Sequence, residues 1–311
     1  MSLRVVFMGT PEFAVPTLRA LHDAFDVVGV VTQPEKAQGR GRKTLPTPVK
    51  SAAVSLGFSV EETPHIRDPR FLSTLKQWAP DVIVVAAFGK ILPQEILQLP
   101  PLGCVNLHAS LLPRYRGASP ISAAILAGDK VSGVCTILMD AGMDTGDILL
   151  AEEIPIGAED TAGSLHDRML EPGARLVVET LTRMLDKTIQ RKPKRHEKAT
   201  YTKPLSKEDG RLDWNRDAPY LSRVVRAMNP WPVASYTLEG EPLKIWQAVA
   251  RTGSGEAGTV VAVDREGIVV GTGDGLLLIK KVQAPGKKRL SASEFARGRR
   301  LQVGQKFDHV G

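Results

Sequence analysis

The sequence predicts an α/β domain with an open, mostly parallel sheet, followed by a small all-β domain. Short apolar runs alternate with segments of helical spacing over residues 3–185, which is typical of parallel strands joined by crossover helices. After residue 232, five short segments of alternating polarity are separated by Gly, Asp and Glu, which is typical of a β-barrel or sandwich. At 311 residues the chain is long enough for two such domains.

The first domain opens as a βαβ unit. An apolar strand ends at Gly9-Thr10-Pro11, and helical spacing then leads to a second buried strand. The same alternation continues to a long amphipathic segment that ends the domain. Strands are predicted at residues 3–8, 27–32, 82–87, 104–107 and 134–139, and helices at residues 13–24, 69–78, 93–99, 120–127 and 161–185.

A stretch rich in Lys, Arg and Pro separates the two domains and is predicted to be a linker. The predicted division is therefore a first domain at residues 1–189, a linker at 190–206 and a β domain at 207–311. Strands of the second domain are predicted at residues 233–238, 243–250, 258–263, 267–272 and 275–282.

Positive charge is concentrated in the C-terminal part of the chain. Residues 190–311 carry 23 Lys and Arg against 13 Asp and Glu, which leaves 18 against 21 for residues 1–189. A basic domain joined to a slightly acidic one suggests a polyanionic partner for the basic one. A solvated basic surface explains the charge alone equally well.

The composition is typical of a soluble globular protein, with 42% hydrophobic and 24% charged residues. No run approaches the ~20 apolar residues of a membrane span, and no signal-type segment opens the sequence, so a cytoplasmic location is expected. Cys104 and Cys135 lie in apolar strand-like runs, which favours buried reduced thiols. The six histidines are scattered and form no H-E-x-x-H pair, so no metal site is predicted.

The most informative stretch runs from Asn106 to Gly117, where an apolar strand ends in a Pro/Arg/Gly loop. Side chains two residues apart in a strand point to the same face, so Asn106 and His108 are expected to project together. A lone histidine is more often structural than catalytic. The neighbouring amide favours a small polar site at the strand end.

A second loop carries Asp140, Asp144 and Asp147, directly after a predicted strand. It is either a tight turn in which Asp caps backbone amides, or a source of carboxylates at the sheet edge where α/β domains hold their chemistry. A carboxylate beside an imidazole raises its pKa, and an imidazolium and an amide can both donate hydrogen bonds to a developing oxyanion. Since no Ser or Cys stands in a nucleophile motif, direct attack by a substrate nucleophile is expected.

Residues 33–48 form a loop rich in Gly, Lys and Arg. Its Arg40, Arg42 and Lys43 could bind phosphates, or the segment could be a disordered surface loop.

These motifs resemble those of the 10-formyltetrahydrofolate-dependent formyltransferases. The resemblance rests on Asn106-x-His108-x-Ser-Leu-Leu-Pro-x-Tyr-Arg-Gly and on Asp140-x-Gly-x-Asp144-x-Gly-Asp147, whose order and spacing agree. It is closest to members that act on methionyl-tRNA, because residues 7–14, 32–43, 199–204 and 229–232 are also similar. It implies a Rossmann-like catalytic domain and an OB-like C-terminal β-barrel that binds tRNA.

The activity that the resemblance implies is transfer of a formyl group from 10-formyltetrahydrofolate to the α-amine of methionine on initiator tRNA. By position, it assigns catalysis to Asn106, His108 and Asp144. We expect protonated His108 and Asn106 to stabilise the oxyanion while Asp144 orients the imidazole. The resemblance further assigns the formyl-folate pocket to Ser110, Leu111, Leu112 and Pro113, and the approach to the tRNA acceptor end to Arg40, Arg42 and Lys43. Phe13 is a weaker candidate for contact with the methionyl group.

Three other functions are weighed against this one. A formyltransferase acting on a sugar-nucleotide or purine-precursor amine would share the catalytic core, but the basic extension at 207–311 favours tRNA. A non-catalytic RNA-binding protein is disfavoured by the intact Asn106, His108 and Asp144. A dehydrogenase is disfavoured because the G-x-G-x-x-G spacing is missing. A monomer is expected because no surplus apolar stripe stands out.

Overall fold

A computed structural model describes residues 2–38, 43–194, 196–238 and 240–307 of the chain. The chain divides into two compact units. The first comprises Met1–Pro120, Val131–Pro155 and His166–Lys203, and the second comprises Ile121–Lys130, Ile156–Leu165 and Pro204–Gly311.

The strands are, in chain order, β1 (Arg4–Gly9), β2 (Asp26–Thr32), β3 (Lys36–Gln38), β4 (Lys43–Leu45), β5 (Val60–Glu62), β6 (Val82–Ala86), β7 (Cys104–His108), β8 (Arg116–Gly117), β9 (Val131–Leu138), β10 (Ile148–Pro155), β11 (Tyr201–Thr202), β12 (Ala234–Leu238), β13 (Glu241–Arg251), β14 (Val260–Val263), β15 (Ile268–Gly271), β16 (Leu276–Gln283) and β17 (Leu290–Ser291). The α-helices are α1 (Val15–Ala24), α2 (Pro48–Ser55), α3 (Pro69–Trp78), α4 (Gln94–Leu97), α5 (Pro120–Ala127), α6 (Ala162–Leu185), α7 (Ala218–Ala227) and α8 (Ala292–Arg299).

The first unit contains a seven-stranded sheet in the order β10-β9-β7-β6-β1-β2-β5. The strands from β7 to β5 are parallel, whereas β9 and β10 are antiparallel at one edge. The chain leaves β1 toward β2 and later returns to β6 on the other side of β1. The order therefore reverses at β1, and the carboxyl ends of β1, β6 and β7 lie at the same edge of the sheet, where α/β folds place their ligand sites.

The central strands form because both of their faces are buried. Every residue of β6, and every residue of β1 after Arg4, is buried. On one face, Phe71 and Leu75 of α3 pack onto Met8 and Ile83. This core holds the parallel part of the sheet rigid beneath the loops that leave its carboxyl edge.

Besides the short strands β3, β4, β8 and β11, three longer or edge elements of the first unit were not predicted: α2, β5 and β10. Helix α2 begins at the end of the stretch assigned to a loop, where Thr47 accepts a hydrogen bond from the Lys50 N–H and Pro48 follows. Strand β10 lies at the sheet edge, where only Leu149 and Ile154 are buried and Glu153 is exposed. Because acidic residues interrupt its apolar residues, the sequence pattern does not reveal this strand.

Residues near both ends of the stretch predicted as a linker pair with strands of the first unit. Lys192 forms a bridge with Ile148, and β11 pairs in parallel with β8. Residues 190–203 are therefore counted in the first unit, because backbone hydrogen bonds hold them to it.

The second unit contains a six-stranded antiparallel sheet in the order β12-β13-β16-β15-β14, with β17 paired to β16. All five predicted strands are present, with bounds within two residues of those predicted. Trp214, Tyr236 and Phe307 form an aromatic cluster with ring centroids 4.3–5.7 Å apart. The predicted fold class, a mostly parallel α/β domain followed by a separate antiparallel β domain, is confirmed.

Helices α7 and α8 of this unit were not predicted. The Asp217 carboxylate caps α7 by accepting a hydrogen bond from the Tyr220 N–H, and Ser291 and Glu294 form a capping box at α8. Both caps are visible in the sequence.

Within the described ranges, no helix combines the length and the apolar character needed to cross a membrane.

Candidate active site

Strand β7 places Asn106 and His108 at the carboxyl edge of the sheet. Pairing of β7 with β6 on one side and β9 on the other fixes the strand, so the two side chains share one face. His108 is buried, with 7% of its surface exposed, and Asn106 is half-buried. Among the residues that the structure describes, the Asn106 carboxamide has no hydrogen-bond partner, so both of its N–H groups remain available to a ligand.

The imidazole of His108 is oriented by the loop that follows β7. Its Nε2 lies 3.0 Å from the carbonyl oxygen of Tyr115, which can only accept a hydrogen bond, so Nε2 carries a proton and donates it. In the neutral ring, Nδ1 is then unprotonated. Nδ1 lies 3.7 Å from Oδ2 of Asp144. The predicted pairing of His108 with Asp144 is present in the structure.

Asp144 is held by three features of its surroundings. Its backbone is left-handed, with φ +51°, which is uncommon for a residue other than glycine. Its carboxylate Oδ2 accepts a hydrogen bond of 2.8 Å from the Gly117 N–H, and its carbonyl oxygen accepts one of 2.7 Å from Nζ of Lys194. Both its carboxylate and its peptide are therefore positioned, and the carboxylate faces His108.

The environment lowers the pKa of His108 below its ordinary value of 6.5. Burial is the largest cause because it disfavours the imidazolium, and the charge of Lys194 adds to this effect. The Asp144 carboxylate and the Tyr115 carbonyl oppose the shift without overcoming it. The lowered pKa favours a neutral ring, so the structure argues against a His108 that is protonated before the reaction begins.

Lys194 is a residue of this site that the sequence did not reveal. It lies in the predicted linker, yet only 7% of its surface is exposed. Its pKa falls to about 8, because burial disfavours the ammonium and Arg116 repels it, while the Asp144 charge opposes the shift. The only signal available was a lysine beside Pro193 in a basic stretch, which does not distinguish it from its exposed neighbours.

Strand β11 fixes the loop between Tyr115 and Gly117. The Thr200 hydroxyl accepts a 2.8 Å hydrogen bond from the Tyr115 N–H, and the Thr202 hydroxyl donates one of 3.0 Å to the Arg116 carbonyl. Gly117 has φ +102°, and a Cβ there would lie 2.4 Å from the Thr202 carbonyl oxygen. Only glycine fits this position, and it presents the N–H that Asp144 accepts.

Asp140 stabilises the 140–147 loop through its side chain, whereas Asp147 contacts β9 through its backbone carbonyl. One carboxylate oxygen of Asp140 accepts hydrogen bonds from the Gly142 N–H, at 3.1 Å, and from the Thr145 hydroxyl. The Asp147 carbonyl accepts the Leu138 N–H at 2.9 Å. The turn interpretation thus describes Asp140, and Asp144 is the carboxylate that faces His108.

The residues assigned to a formyl-folate pocket pack against the sheet. The Ser110 hydroxyl is fully buried and donates to the Arg114 carbonyl at 2.7 Å. Leu112 packs with Cys135 and Ile137. Leu111 lies over Gly133, where a Cβ would be 2.6 Å from it, and a cis peptide bond joins Leu112 to Pro113. Their role in binding a folate stays a prediction.

Of the predicted tRNA contacts, Arg40 and Arg42 lie outside the described residues. Lys43 begins β4, which pairs with β3 in a short antiparallel hairpin. Part of the 33–48 segment therefore has regular structure.

Both cysteines are buried free thiols, as expected. Burial raises the pKa of Cys104 and of Cys135 to about 12, so neither is a nucleophile at neutral pH. No group of three or more His, Cys, Asp or Glu side chains is arranged to hold a metal ion in the part of the chain that the structure describes.

The arrangement can perform chemistry on a polarised carbonyl. Asn106 offers an uncommitted hydrogen-bond donor, and the His108 imidazole and Asp144 carboxylate are two adjacent proton acceptors. A proton taken up by either group would be stabilised by the other.

Comparison with known families covers most of the chain. Residues 3–181 match the Formyl transferase family, and residues 204–300 match the family described as Formyl transferase, C-terminal domain.

Curated proteins similar to this chain include methionyl-tRNA formyltransferases. The one from Acetivibrio thermocellus is 45% identical over 307 residues, which cover 97% of this chain and 99% of the relative. The one from Symbiobacterium thermophilum is 48% identical over 310 residues, which cover 98% and 95%.

A similar solved structure is HypX from Aquifex aeolicus in complex with tetrahydrofolic acid. It matches with a TM-score of 0.64 at 18% sequence identity. The match covers 100% of this chain and 50% of HypX, so the chain spans half of that protein. At this identity the likeness shows a shared fold.

Proposed function

The chain belongs to the formyl transferase family, and from this premise we propose that it transfers the formyl group of 10-formyltetrahydrofolate to the α-amine of methionyl-tRNA. The observation that carries the proposal is the similarity to methionyl-tRNA formyltransferases along nearly the whole chain, at 45% and 48% identity. The pair formed by His108 and Asp144 supports it, because it stands where an α/β sheet holds its chemistry.

The α-amine is the attacking nucleophile. Its pKa of roughly 7–8 leaves an appreciable neutral fraction at physiological pH, and no enzyme nucleophile is needed. Attack on the formyl carbon forms the new C–N bond and moves an electron pair onto the formyl oxygen. Asn106 donates a hydrogen bond to that oxygen, a contribution worth ~10²–10³-fold in rate for one such donor.

The proton that the amine loses passes to the pair of His108 and Asp144. Because His108 is neutral and its Nδ1 is unprotonated, Nδ1 can take the proton, and the imidazolium then lies 3.7 Å from a carboxylate. Collapse of the tetrahedral intermediate breaks the bond between the formyl carbon and N10 of the folate. The pair returns the proton to N10, so the enzyme ends as it began.

Two further groups hold this pair in place without taking part in proton transfer. The Gly117 N–H donates a hydrogen bond that positions the Asp144 carboxylate, and Lys194 donates one to the carbonyl of Asp144, whose backbone is left-handed. The roles of Asn106, His108 and Asp144 are thus kept from the sequence prediction, with the proton on the imidazole reassigned.

In this proposal, different parts of the chain bind the two substrates. Ser110, Leu111, Leu112 and Pro113 shape the loop beside which the formyl-folate binds, and Arg40, Arg42 and Lys43 approach the acceptor end of an initiator tRNA. The catalytic domain predicted at residues 1–189 is completed by residues of the predicted linker at 190–206 that pair with it, and residues 207–311 form the tRNA-binding domain. The protein acts as a cytoplasmic monomer without a metal.

One assay tests the proposal. Purified protein is mixed with 10-formyltetrahydrofolate and charged initiator tRNA, and the formyl-methionyl ester is measured. Elongator methionyl-tRNA, a sugar-nucleotide amine and a purine-precursor amine serve as alternative acceptors. Formylation of the initiator tRNA with little turnover of the other acceptors is expected. Preferential formylation of a small amine would contradict the proposed acceptor, and no transfer to any acceptor would contradict the proposed reaction.

A further inference from the structure

A polar cluster lies where β2 and β5 end, at the base of the hairpin formed by β3 and β4. The ammonium of Lys50, in the first turn of α2, donates a 2.7 Å hydrogen bond to Oε1 of Glu35 and a second of 2.7 Å to Oε2 of Glu62. Only 27% of the Lys50 side chain is exposed, so solvent screens these ion pairs less than it screens pairs on an open surface. The hydrogen bonds to Glu35 and then Glu62 raise the pKa of Lys50, so the ammonium stays charged.

This cluster joins both ends of the hairpin to the sheet. Glu35 directly precedes β3, and Lys50 follows the end of β4, so their ion pair connects the two chain segments that enter and leave the hairpin. The pair of Lys50 with Glu62 ties the same junction to β5, the edge strand. The hydroxyl oxygens of Thr32 and Thr47 lie 2.9 Å apart and form a second connection across the base.

The base of the hairpin is also connected to loops at the carboxyl edge of the sheet. The Thr10 hydroxyl, after β1, accepts the Gln33 N–H at 3.4 Å and donates to the Phe88 carbonyl, after β6, at 3.4 Å. Strands β1 and β6 separate β2 from β7, so at ~4.8 Å per strand the hairpin leaves the sheet roughly 14 Å from the strand of Asn106 and His108. A hairpin at this distance can contact a large substrate without contacting the reacting atoms.

The charge of the hairpin segment favours a polyanion. Residues 33–48 contain four Lys and Arg residues, and their only carboxylate is that of Glu35. Its negative charge is offset by the Lys50 ammonium, which leaves the segment basic. Of the two proposed substrates, the tRNA carries the denser negative charge.

We propose that Lys50 is a positioning residue for the tRNA substrate, because it anchors the base of the β3–β4 hairpin to the sheet and so holds the hairpin where the acceptor end approaches. The inference rests on the proposed function and adds a residue outside both the catalytic set and the basic segment. A hairpin that is already held in place loses less conformational freedom when the substrate binds. Loss of the anchor should therefore weaken tRNA binding and leave the chemical step unchanged.

Glu35→Gln separates positioning from charge. This variant removes the ionic partner on the hairpin side and retains the pair of Lys50 with Glu62, which holds α2 to β5. By charge alone, losing a carboxylate from a basic segment should strengthen tRNA binding. Loss of the anchor should weaken it, so the two explanations predict opposite signs.

Formylation kinetics are measured with initiator methionyl-tRNA and 10-formyltetrahydrofolate, each varied while the other is saturating. In E35Q and K50M, the KM for methionyl-tRNA is expected to rise about tenfold, the effect of losing one hydrogen bond between charged groups. The kcat and the KM for 10-formyltetrahydrofolate should stay unchanged, and Lys50→Arg should recover most of the lost affinity. The control, Arg175→Met, breaks a 2.7 Å ion pair with Glu152 of β10, at the opposite edge of the sheet, and should behave as wild type.

Hydrogen exchange of the β3 and β4 amides gives a measurement that needs no activity. Exchange should be faster in E35Q and K50M than in wild type and R175M, with the amides of β1 and β6 unchanged. If K50M does not fold, E35Q carries the test, because it retains the pair of Lys50 with Glu62.

Unchanged exchange in the hairpin of E35Q, or a KM for methionyl-tRNA at or below the wild-type value, would overturn the proposal. A rise in the KM for 10-formyltetrahydrofolate alone would assign the hairpin to the donor and would also overturn it. A wild-type protein that formylates no acceptor would instead contradict the proposed reaction, and the exchange measurement would still decide whether Lys50 anchors the hairpin.

Discussion

Replacing Asp144 by Asn should lower the pKa of His108 further. The Asn side chain keeps an oxygen that can accept the Gly117 N–H, so the loop is preserved while the negative charge is removed. That charge lies 3.7 Å from Nδ1 of His108. At an effective dielectric constant of about 20, an attraction over this distance is worth roughly 4 kcal/mol, so the expected fall in the pKa of His108 is large enough to resolve by titration.

The sign follows from the charged form of the ring. A carboxylate stabilises the imidazolium, so its removal makes protonation harder and moves the pKa down. In the wild type, the pKa of His108 already lies below 6.5. The titration is followed by NMR of the His108 ring protons from pH 4 to 8, with circular dichroism as the control for folding. An unchanged or raised pKa in D144N would refute the electrostatic account of the pair.

The same account predicts the pH dependence of turnover. If neutral His108 accepts the proton of the amine, the acid limb of kcat/KM that belongs to His108 lies below pH 6.5 in the wild type. In D144N the pKa of His108 is lowered and the carboxylate that serves as the second proton acceptor is lost. The value of kcat should therefore fall strongly, while tRNA binding is retained. A wild-type rate that rises on acidification through pH 6.5 would instead require an imidazolium as the active form.

Three further changes test other parts of the site. Asn106→Ala should lower kcat by ~10²–10³-fold without loss of fold, as measured by steady-state kinetics beside circular dichroism, and near-normal turnover would remove Asn106 from the catalytic set. Lys194→Met should raise the pKa of His108, because a nearby positive charge is lost, and this direction is opposite to that expected for D144N. The same NMR titration measures this pKa. Lys194→Arg keeps the charge and should give the wild-type value. Gly117→Ala should lower both the melting temperature and kcat, since its Cβ would lie 2.4 Å from the Thr202 carbonyl and a strained backbone costs about 1–3 kcal/mol; a variant as stable and active as wild type would show that the loop can move.

The sequence predicted the central strands well because their burial on both faces leaves continuous apolar runs. β1, β6 and β7 are of this kind. β10 was not predicted because it lies at an edge and contains two adjacent acidic residues, Glu152 and Glu153. The segment at 190–203 belongs to a stretch that was expected to be a linker, because its content of Lys, Arg and Pro indicates solvent exposure. Its place in the first unit depends instead on backbone pairing with residues far away in the chain.

The site was predictable only where spacing within one element decides the geometry. Asn106 and His108 lie two residues apart on one strand, so their shared face follows from the period of a strand. The proximity of Asp144 to His108 was expected from the position of its loop after a predicted strand and from the family resemblance. The sequence did not reveal that Lys194, fifty residues from Asp144, belongs to the site. Nor did it reveal the protonation state of His108, because that state depends on burial of the ring and on its hydrogen bond to the Tyr115 carbonyl.

The pairing of β11 with β8 sets a lower limit on the length of any active fragment. The first family match ends at residue 181 and the second begins at residue 204, so sequence similarity alone would place a domain boundary between them. Lys194, Thr200 and Thr202 all lie in that interval, and they hold the Asp144 peptide and the loop that carries Gly117. A fragment ending at residue 189 would keep Asn106, His108 and Asp144 and lose the contacts that aim them. Under the proposed mechanism, the shortest active fragment therefore extends through residue 203, beyond the end of the first family match.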